Sequence, residues 1–170
     1  MTIPSAISVN APIGQGVLYH IDDSGSHVAV TVAELFNNGV TVVFGGPAPF
    51  GRLDSEQAEQ YERAAAELLS LGVDRVVAIY CQDAFVCKKF REAISQKTQT
   101  DYIRYYADGD GYFIQAYNLW RDFTGSGLGM RSERWCAVVE NNVTKFVEHD
   151  EYTDIDKTHV DNIISWLKSQ

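Results

Sequence analysis

Between Thr41 and Glu59 the chain reads TVVFGGPAPFGRLDSEQAE: a short apolar run, a Gly/Pro turn, then a sequence that begins a helix. Such a junction favours chemistry because the start of a helix leaves backbone N–H groups unpaired and presents the positive end of the macrodipole. An anion is therefore stabilised there. A cysteine at that point would be a reactive thiolate, and this chain has none there. Asp54 or Ser55 offers the N-cap instead, and Gln57 follows Asp54 at the spacing of a capping box. The cysteines lie elsewhere, at Cys81, Cys87 and Cys136, without CxxC spacing. Cys81 and Cys87 are redox candidates, although the plainer reading places Cys81 at the end of a buried strand and Cys87 on a packed helix face. Cys136 reads as core. His20, His27, His149 and His159 have no metal-ligand spacing. The DGDG run from Asp108 lacks the later ligands of a calcium loop and reads as a turn. No metal and no cofactor are expected.

The elements that position this junction follow from periodicity. Residues 16 to 31 alternate on either side of DDSGS, a hairpin signal, and Val32 to Phe36 form a short helical turn. Val40 to Phe44 is a strand, and its apolar run suits a parallel strand covered on both faces. A helix over Ser55 to Leu71 carries Tyr61, Ala65, Leu68 and Leu69 on one face and stops at Gly72. Arg75 to Cys81 is a second buried strand, and Asp83 caps a helix running to about Ala93. Asp101 to Ala107 is a third strand, Tyr112 to Trp120 a short helix, and Gly125 to Gly129 a glycine loop. Arg134 to Glu140 and Val143 to Glu148 pair around Asn141-Asn142, both tolerant of positive φ. A last helix over Asp156 to Lys168 places Val160, Ile163, Ile164 and Leu167 at helical spacing. Strands that alternate with helices, followed by a hairpin and a closing helix, describe a mixed-sheet α/β sandwich of thioredoxin type.

With 170 residues, 45% of them hydrophobic and 12% aromatic, the chain is long enough for one domain with a substantial core, read here as residues 1–170. A net charge of −9 disfavours nucleic acid and anionic membrane as partners. There is no apolar run long enough to span a membrane and no basic leader before an apolar stretch. An odd number of unpaired cysteines fits a reducing compartment, so the cytoplasm is the expected location.

Several blocks, in order and at near-constant spacing, give the chain a family resemblance over nearly its whole length. FGGPAPF is similar to FGVPGAF, LLSLGVDRVVAIYCQDAFV to LKAKGVDEIVCVSVNDAFV, IRYYADGDGYF to IRLLADPTGAF, and GLGMRSERWCAVVENNVTKFV to GLGVRSRRFALVVEDGVVKAL. The second member of each pair belongs to the type II, peroxiredoxin-5-like peroxiredoxins, which the chain resembles. The resemblance implies a thioredoxin-like fold of peroxiredoxin type, with a central mixed β-sheet flanked by helices and an N-terminal β-hairpin. It also implies a homodimer, in which the Pro47 to Phe50 loop, the Asp83-Ala84-Phe85 segment and the region of Leu128 pack against their twins. It implies peroxide reduction by one cysteine in a PxxxTxxC motif, assisted by an arginine before a late strand.

The departures from that pattern set the functional expectation. Pro47 and Phe50 match, but the motif threonine falls on Gly51. The cysteine falls on Asp54 counted from Pro47, or on Leu53 counted back from Tyr61. The family's active-site histidine falls on Ala58 or Gln57. The arginine matches Arg134, with Arg131 beside it. An aspartate has no thiol redox chemistry. Three readings follow. The first is a repurposed non-peroxidase, an enzyme or a binder of a small molecule or anion, that uses the old hollow with Pro47, Phe50, Gly51, Arg52, Asp54, Arg131 and Arg134. The second is a peroxidase acting through Cys81 or Cys87, and the third a non-catalytic dimeric interaction module. Geometry separates two states of the hollow. In one, Asp54 closes onto Arg134 and plugs it. In the other, Asp54 turns away to cap the helix and leaves an anion site.

Overall fold

The structure, a computed structural model, describes residues 8–170. Its centre is β3 (Val40–Gly45), which pairs in parallel with β4 (Arg75–Tyr80) and antiparallel with β8 (Arg134–Glu140). Parallel β5 (Arg104–Ala107) follows β4, and the hairpin of β1 (Val17–Ile21) and β2 (His27–Thr31) completes that side. On the other side, β9 (Val143–Asp150) flanks β8, so the seven-stranded order is β2-β1-β5-β4-β3-β8-β9. Alternate residues of the central strands face opposite layers. Val42, Phe44, Val76, Ala78, Cys136 and Val138 pack under the helices α2 (Arg52–Ser70), α3 (Ala84–Thr98) and α5 (Val160–Lys168). Val43, Val77, Ile79, Trp135 and Ala137 pack under α1 (Val32–Phe36) and α4 (Tyr112–Ala116). Burial on both faces is why these strands read as unbroken apolar runs. The fold is the expected thioredoxin-like α/β architecture with its N-terminal hairpin.

The predicted hairpins hold in detail. Asn141 and Asn142 take φ of 49° and 67° at the β8–β9 turn, the geometry a two-residue hairpin needs. Asp83 caps α3, accepting from the Val86 N–H at 2.9 Å. Several boundaries differ. Helix α2 begins at Arg52 with Gly51 as N-cap and no side-chain cap, so neither Asp54 nor Ser55 caps it. Leu69, assigned to the buried face, is exposed at the edge of that stripe. Helix α3 runs on to Thr98, and β5 starts at Arg104 rather than Asp101. Helix α5 begins at Val160, four residues later than expected.

The largest difference lies between residues 112 and 132. Helix α4 stops at Ala116, and Asn118, with φ of 57°, turns the chain. Trp120–Phe123 and Gly129–Ser132 then pair as a separate two-stranded ribbon, β6 and β7. The glycine stretch is the turn of that ribbon, with positive φ at Gly125, Gly127 and Gly129. Among the described residues no helix is long and apolar enough to cross a membrane.

Candidate active-site hollow

The chain leaves β3 through Gly45 and Gly46 because side chains do not fit there. A Cβ on Gly45 would strike the Ile79 carbonyl and the Trp135 indole, and one on Gly46 would strike Asp54 Oδ1. The turn that follows closes with a 2.9 Å bond from the Gly51 N–H to the Ala48 carbonyl, and Phe50 takes a φ of 70°. The ribbon holds this turn from outside. Arg131 Nη1 donates to the Pro47 carbonyl at 3.0 Å, Arg131 Nε to the Leu128 carbonyl at 2.9 Å, and Ser132 Oγ to the Gly46 carbonyl at 3.2 Å.

The turn delivers Asp54 to the third position of α2, where it faces Arg134 at the start of β8. Both side chains are buried, and Arg134 Nη2 lies 3.2 Å from Asp54 Oδ2. Arg134 Nη1 donates to the carbonyls of Tyr152 and Asp154, at 3.0 and 2.9 Å, which ties down the loop after β9. Tyr152 is held from the other side by its ring, 5.5 Å from Phe123 of β6. The start of β8 is fixed in turn by Glu133, which bridges Arg121 at 2.6 Å and His149 at 3.0 Å. Burial pushes the Asp54 carboxyl up to about 6, and the Arg134 charge only partly offsets it.

A hollow of about 190 Å³ opens beside this pair, lined by Gly51, Arg52, Leu53, Asp54, Arg134, Tyr152 and Thr153. The ion pair is closed, yet the hollow persists next to it, so neither of the two states expected from sequence is realised alone. Of the two registers, Asp54 is the residue that meets Arg134; Leu53 forms part of the wall. Gly51 leaves room there: a Cβ on it would stand 2.9 Å from the Ala48 carbonyl and 3.0 Å from Asp54 Oδ2.

Arg52 contributes to the rim of the hollow, with its guanidinium in solvent and only loosely paired with Glu56 at 3.9 Å. Three other residues predicted for the site lie apart from it. Phe50 is 53% exposed, with its ring 5.1 Å from Phe90, and does not line the hollow. The Arg131 guanidinium is engaged by backbone carbonyls of the turn and the ribbon, and Pro47 serves as its acceptor. The sequence reading missed Tyr152 and Thr153, which have no motif and reach the hollow only through Arg134's bonds to their loop.

The thiols lie elsewhere. Cys87 and Cys136 are buried and Cys81 is half-buried, its Sγ 3.7 Å from the Met130 carbonyl. Burial raises the Cys81 thiol to about 11 and those of Cys87 and Cys136 to about 12. Among the described residues no three His, Cys, Asp or Glu side chains gather as metal ligands would.

A strand–turn–helix hollow closed by an arginine from a late strand, set in a seven-stranded mixed sheet, defines a thioredoxin-like protein of the peroxiredoxin type. The chain matches the Redoxin family over residues 10–164 and belongs to it. It is 31% identical to a mitochondrial peroxiredoxin-2F of Arabidopsis thaliana over 71% of its own length, and spans 59% of that relative. It is 28% identical to a peroxisomal membrane associated protein 20 of Schizosaccharomyces pombe, covering 80% of this chain and 87% of that one. Among solved structures it is similar to a reduced Prx3 of Vibrio vulnificus in complex with H2O2, with a TM-score of 0.85, 28% identity, and coverage of 95% and 99% of the two chains.

Proposed function

We propose that this protein uses the hollow beside Asp54 and Arg134 to bind, or act on, a small polar molecule, and that it does not reduce peroxides at the helix start. The carrying observation is the buried Asp54–Arg134 pair at 3.2 Å with about 190 Å³ open beside it. A carboxylate stands where the resemblance places a thiolate, and it cannot pass through a sulfenic acid. The remaining thiols do not compensate. A thiol raised to about 11 is ionised in only about one molecule in 10⁴ at neutral pH.

The expected result of a peroxide-consumption assay with thioredoxin or glutathione systems is no turnover above a heat-killed control. Turnover that is lost on Cys81→Ser or Cys87→Ser would instead establish the second reading, a peroxidase working through another cysteine. Cys81 is favoured for that role because its sulfur alone of the three is half-exposed. A small molecule that raises the melting temperature supports the binding reading over a purely structural dimer.

The proposal includes a homodimer in a reducing, cytoplasmic setting. Phe50 and Phe85 are 53% and 63% exposed, and Met130 is 47% exposed on the ribbon. Large apolar side chains left in water suit an isologous contact. Light scattering at micromolar concentration is expected to give twice the chain mass; a monomer mass would remove the dimer from this picture.

A further inference from the structure

Asp54 and Gln57 each hold a buried oxygen that lacks a donor in good hydrogen-bond geometry, although the Ala48 and Asp54 N–H groups lie near enough to the Asp54 carboxyl to favour its charge. Asp54 Oδ2 meets Arg134, but Asp54 Oδ1 is buried with no partner. Gln57, one turn further along α2 and fully buried, is oriented by its Nε2, which donates to the Trp135 carbonyl at 3.3 Å; this leaves Gln57 Oε1 buried and unpartnered. The two acceptors lie on the same side of Gly46: a Cβ there would strike Asp54 Oδ1 and stand 3.6 Å from Gln57 Oε1. Buried acceptors without a donor are costly, and a hydrogen on Oδ1, directed to Gln57, would satisfy both. On the other side of the pair, Arg134 Nε is also buried without a partner, on a side chain that lines the hollow. Next to it stands the first turn of a 19-residue helix, with no side-chain cap on its N–H groups.

We propose that the hollow binds small monocarboxylates and takes up one proton with each: the anion engages Arg134 and the first-turn N–H groups of α2, while Asp54 becomes neutral and donates from Oδ1 to Gln57 Oε1. The inference rests on the binding reading above and names its ligand class. The balance is simple. The free site holds one carboxylate and one guanidinium; the occupied site holds the ligand's carboxylate, the same guanidinium and a neutral carboxylic acid, the proton coming from solvent. Asp54 is suited to this exchange because burial already holds its carboxyl near 6, so a second anion beside Arg134 lifts it past neutrality.

Among the described residues, the groups that face Asp54 do not take up the proton in its place. Tyr80 faces Asp54 from β4 with its hydroxyl buried and unpartnered; burial pushes that hydroxyl well above its usual value, so it keeps its own proton. Arg134 faces it from β8. Arg52, on α2 itself, is solvent-exposed beside Glu56. The loop after β9 presents the Tyr152 and Asp154 carbonyls, both bonded to Arg134. Asp150, further back, is occupied by the N–H groups of Lys157 and Thr158 and by the Thr158 hydroxyl.

The test is a titration with acetate, with acetamide as the neutral isostere, followed through the backbone amide NMR signals of Arg52 and Leu53. The acetate dissociation constant is expected to weaken about fivefold from pH 6 to 7, where the free Asp54 carboxyl is still partly protonated, and by about tenfold from pH 7 to 8, where uptake of one proton is complete. Asp54→Asn, whose amide can donate to Gln57 without a proton, is expected to bind acetate with an affinity that does not change with pH. The carboxyl carbon shift of Asp54 in the unaltered protein is expected to move to its neutral value on saturation at pH 7, and this measurement holds even if the variant folds poorly. A flat profile in the unaltered protein, a sloped one in Asp54→Asn, or an Asp54 signal that stays ionised overturns the proton coupling and leaves the binding reading standing. Binding of acetamide but not acetate overturns the ligand class. If neither probe moves the Arg52 and Leu53 signals at any pH, the binding reading itself fails and this inference falls with it.

Discussion

Arg134→Ala is expected to lose about 3 to 5 kcal/mol of stability, the usual cost of removing one member of a buried charge pair. The structure explains why so much rests on one side chain. Arg134 joins three separate pieces of chain: α2 through Asp54 at 3.2 Å, its own strand β8, and the loop after β9 through two carbonyls at 3.0 and 2.9 Å. Truncation leaves Asp54 buried without its counter-charge, and Asp54 then takes up a proton rather than stay ionised. It also leaves the Tyr152 and Asp154 carbonyls without a donor and opens a void where a fully buried arginine stood. For a chain of this length, melting should fall by on the order of 10 °C. Asp54→Asn also leaves the buried Arg134 guanidinium without its counter-charge, but should lose less, because the Asn amide oxygen can still accept from Arg134 and the Tyr152 and Asp154 carbonyls keep their donor. Chemical denaturation of the two variants checks the order. An Arg134→Ala loss below about 1 kcal/mol, the scale of an exposed pair, would mean that the pair is open in solution.

Asp54→Cys combined with Gly51→Thr should create a thiol that reacts with peroxide where the parent has none. Position 54 lies in the first turn of α2, against Arg134, in the two fields that depress a thiol pKa. Burial, which outweighs Arg134 at Asp54, opposes those fields; at Cys81 the charge of Asp108 adds to burial instead, and the thiol is raised to about 11. The expected result is faster sulfenic acid formation at position 54 than at Cys81, because only position 54 places the sulfur against Arg134 and a helix start. Gly51 has φ of −60°, which a threonine accepts. Of the two contacts its Cβ would meet, the one at Asp54 Oδ2, 3.0 Å away, is relieved when the carboxylate becomes a shorter thiol, and the one at the Ala48 carbonyl, 2.9 Å away, requires a small shift of the turn. Mass spectrometry after one equivalent of hydrogen peroxide should find one added oxygen on the sulfur introduced by Asp54→Cys. Oxidation spread over Cys81, Cys87 and Cys136 instead would show that the hollow no longer activates an anion, and the reading of this site as a former thiolate pocket would be abandoned.

The two experiments bear on different properties of one place. The first measures what holds the hollow in shape; the second measures whether its field still acts on whatever anion is put there. A site that is rigid but electrostatically silent would pass the first and fail the second, the behaviour of a structural module.

The architecture was legible in the sequence because each central strand is buried on both faces, so VVF, VVAIY and the unbroken apolar run from Trp135 to Val139 admit few other environments. Turn chemistry was equally explicit: Asn141-Asn142 and Asp83 act locally, and their neighbours in sequence are their partners in space. The register of the active-site turn was not. Counting from Pro47 or from Tyr61 gave Asp54 or Leu53, and only the position of Arg134, eighty residues later in the chain, distinguishes them. The β6–β7 ribbon also escaped, since four-residue strands over a glycine turn carry too little periodicity to separate from helix or loop. Whether the hollow was plugged or open was decided by tertiary structure alone. Sequence can place a carboxylate near an arginine, but the space beside them depends on where the loop of Tyr152 and Thr153 comes to rest. That loop is held by carbonyl groups, which every residue type supplies equally, so no side-chain pattern records its position.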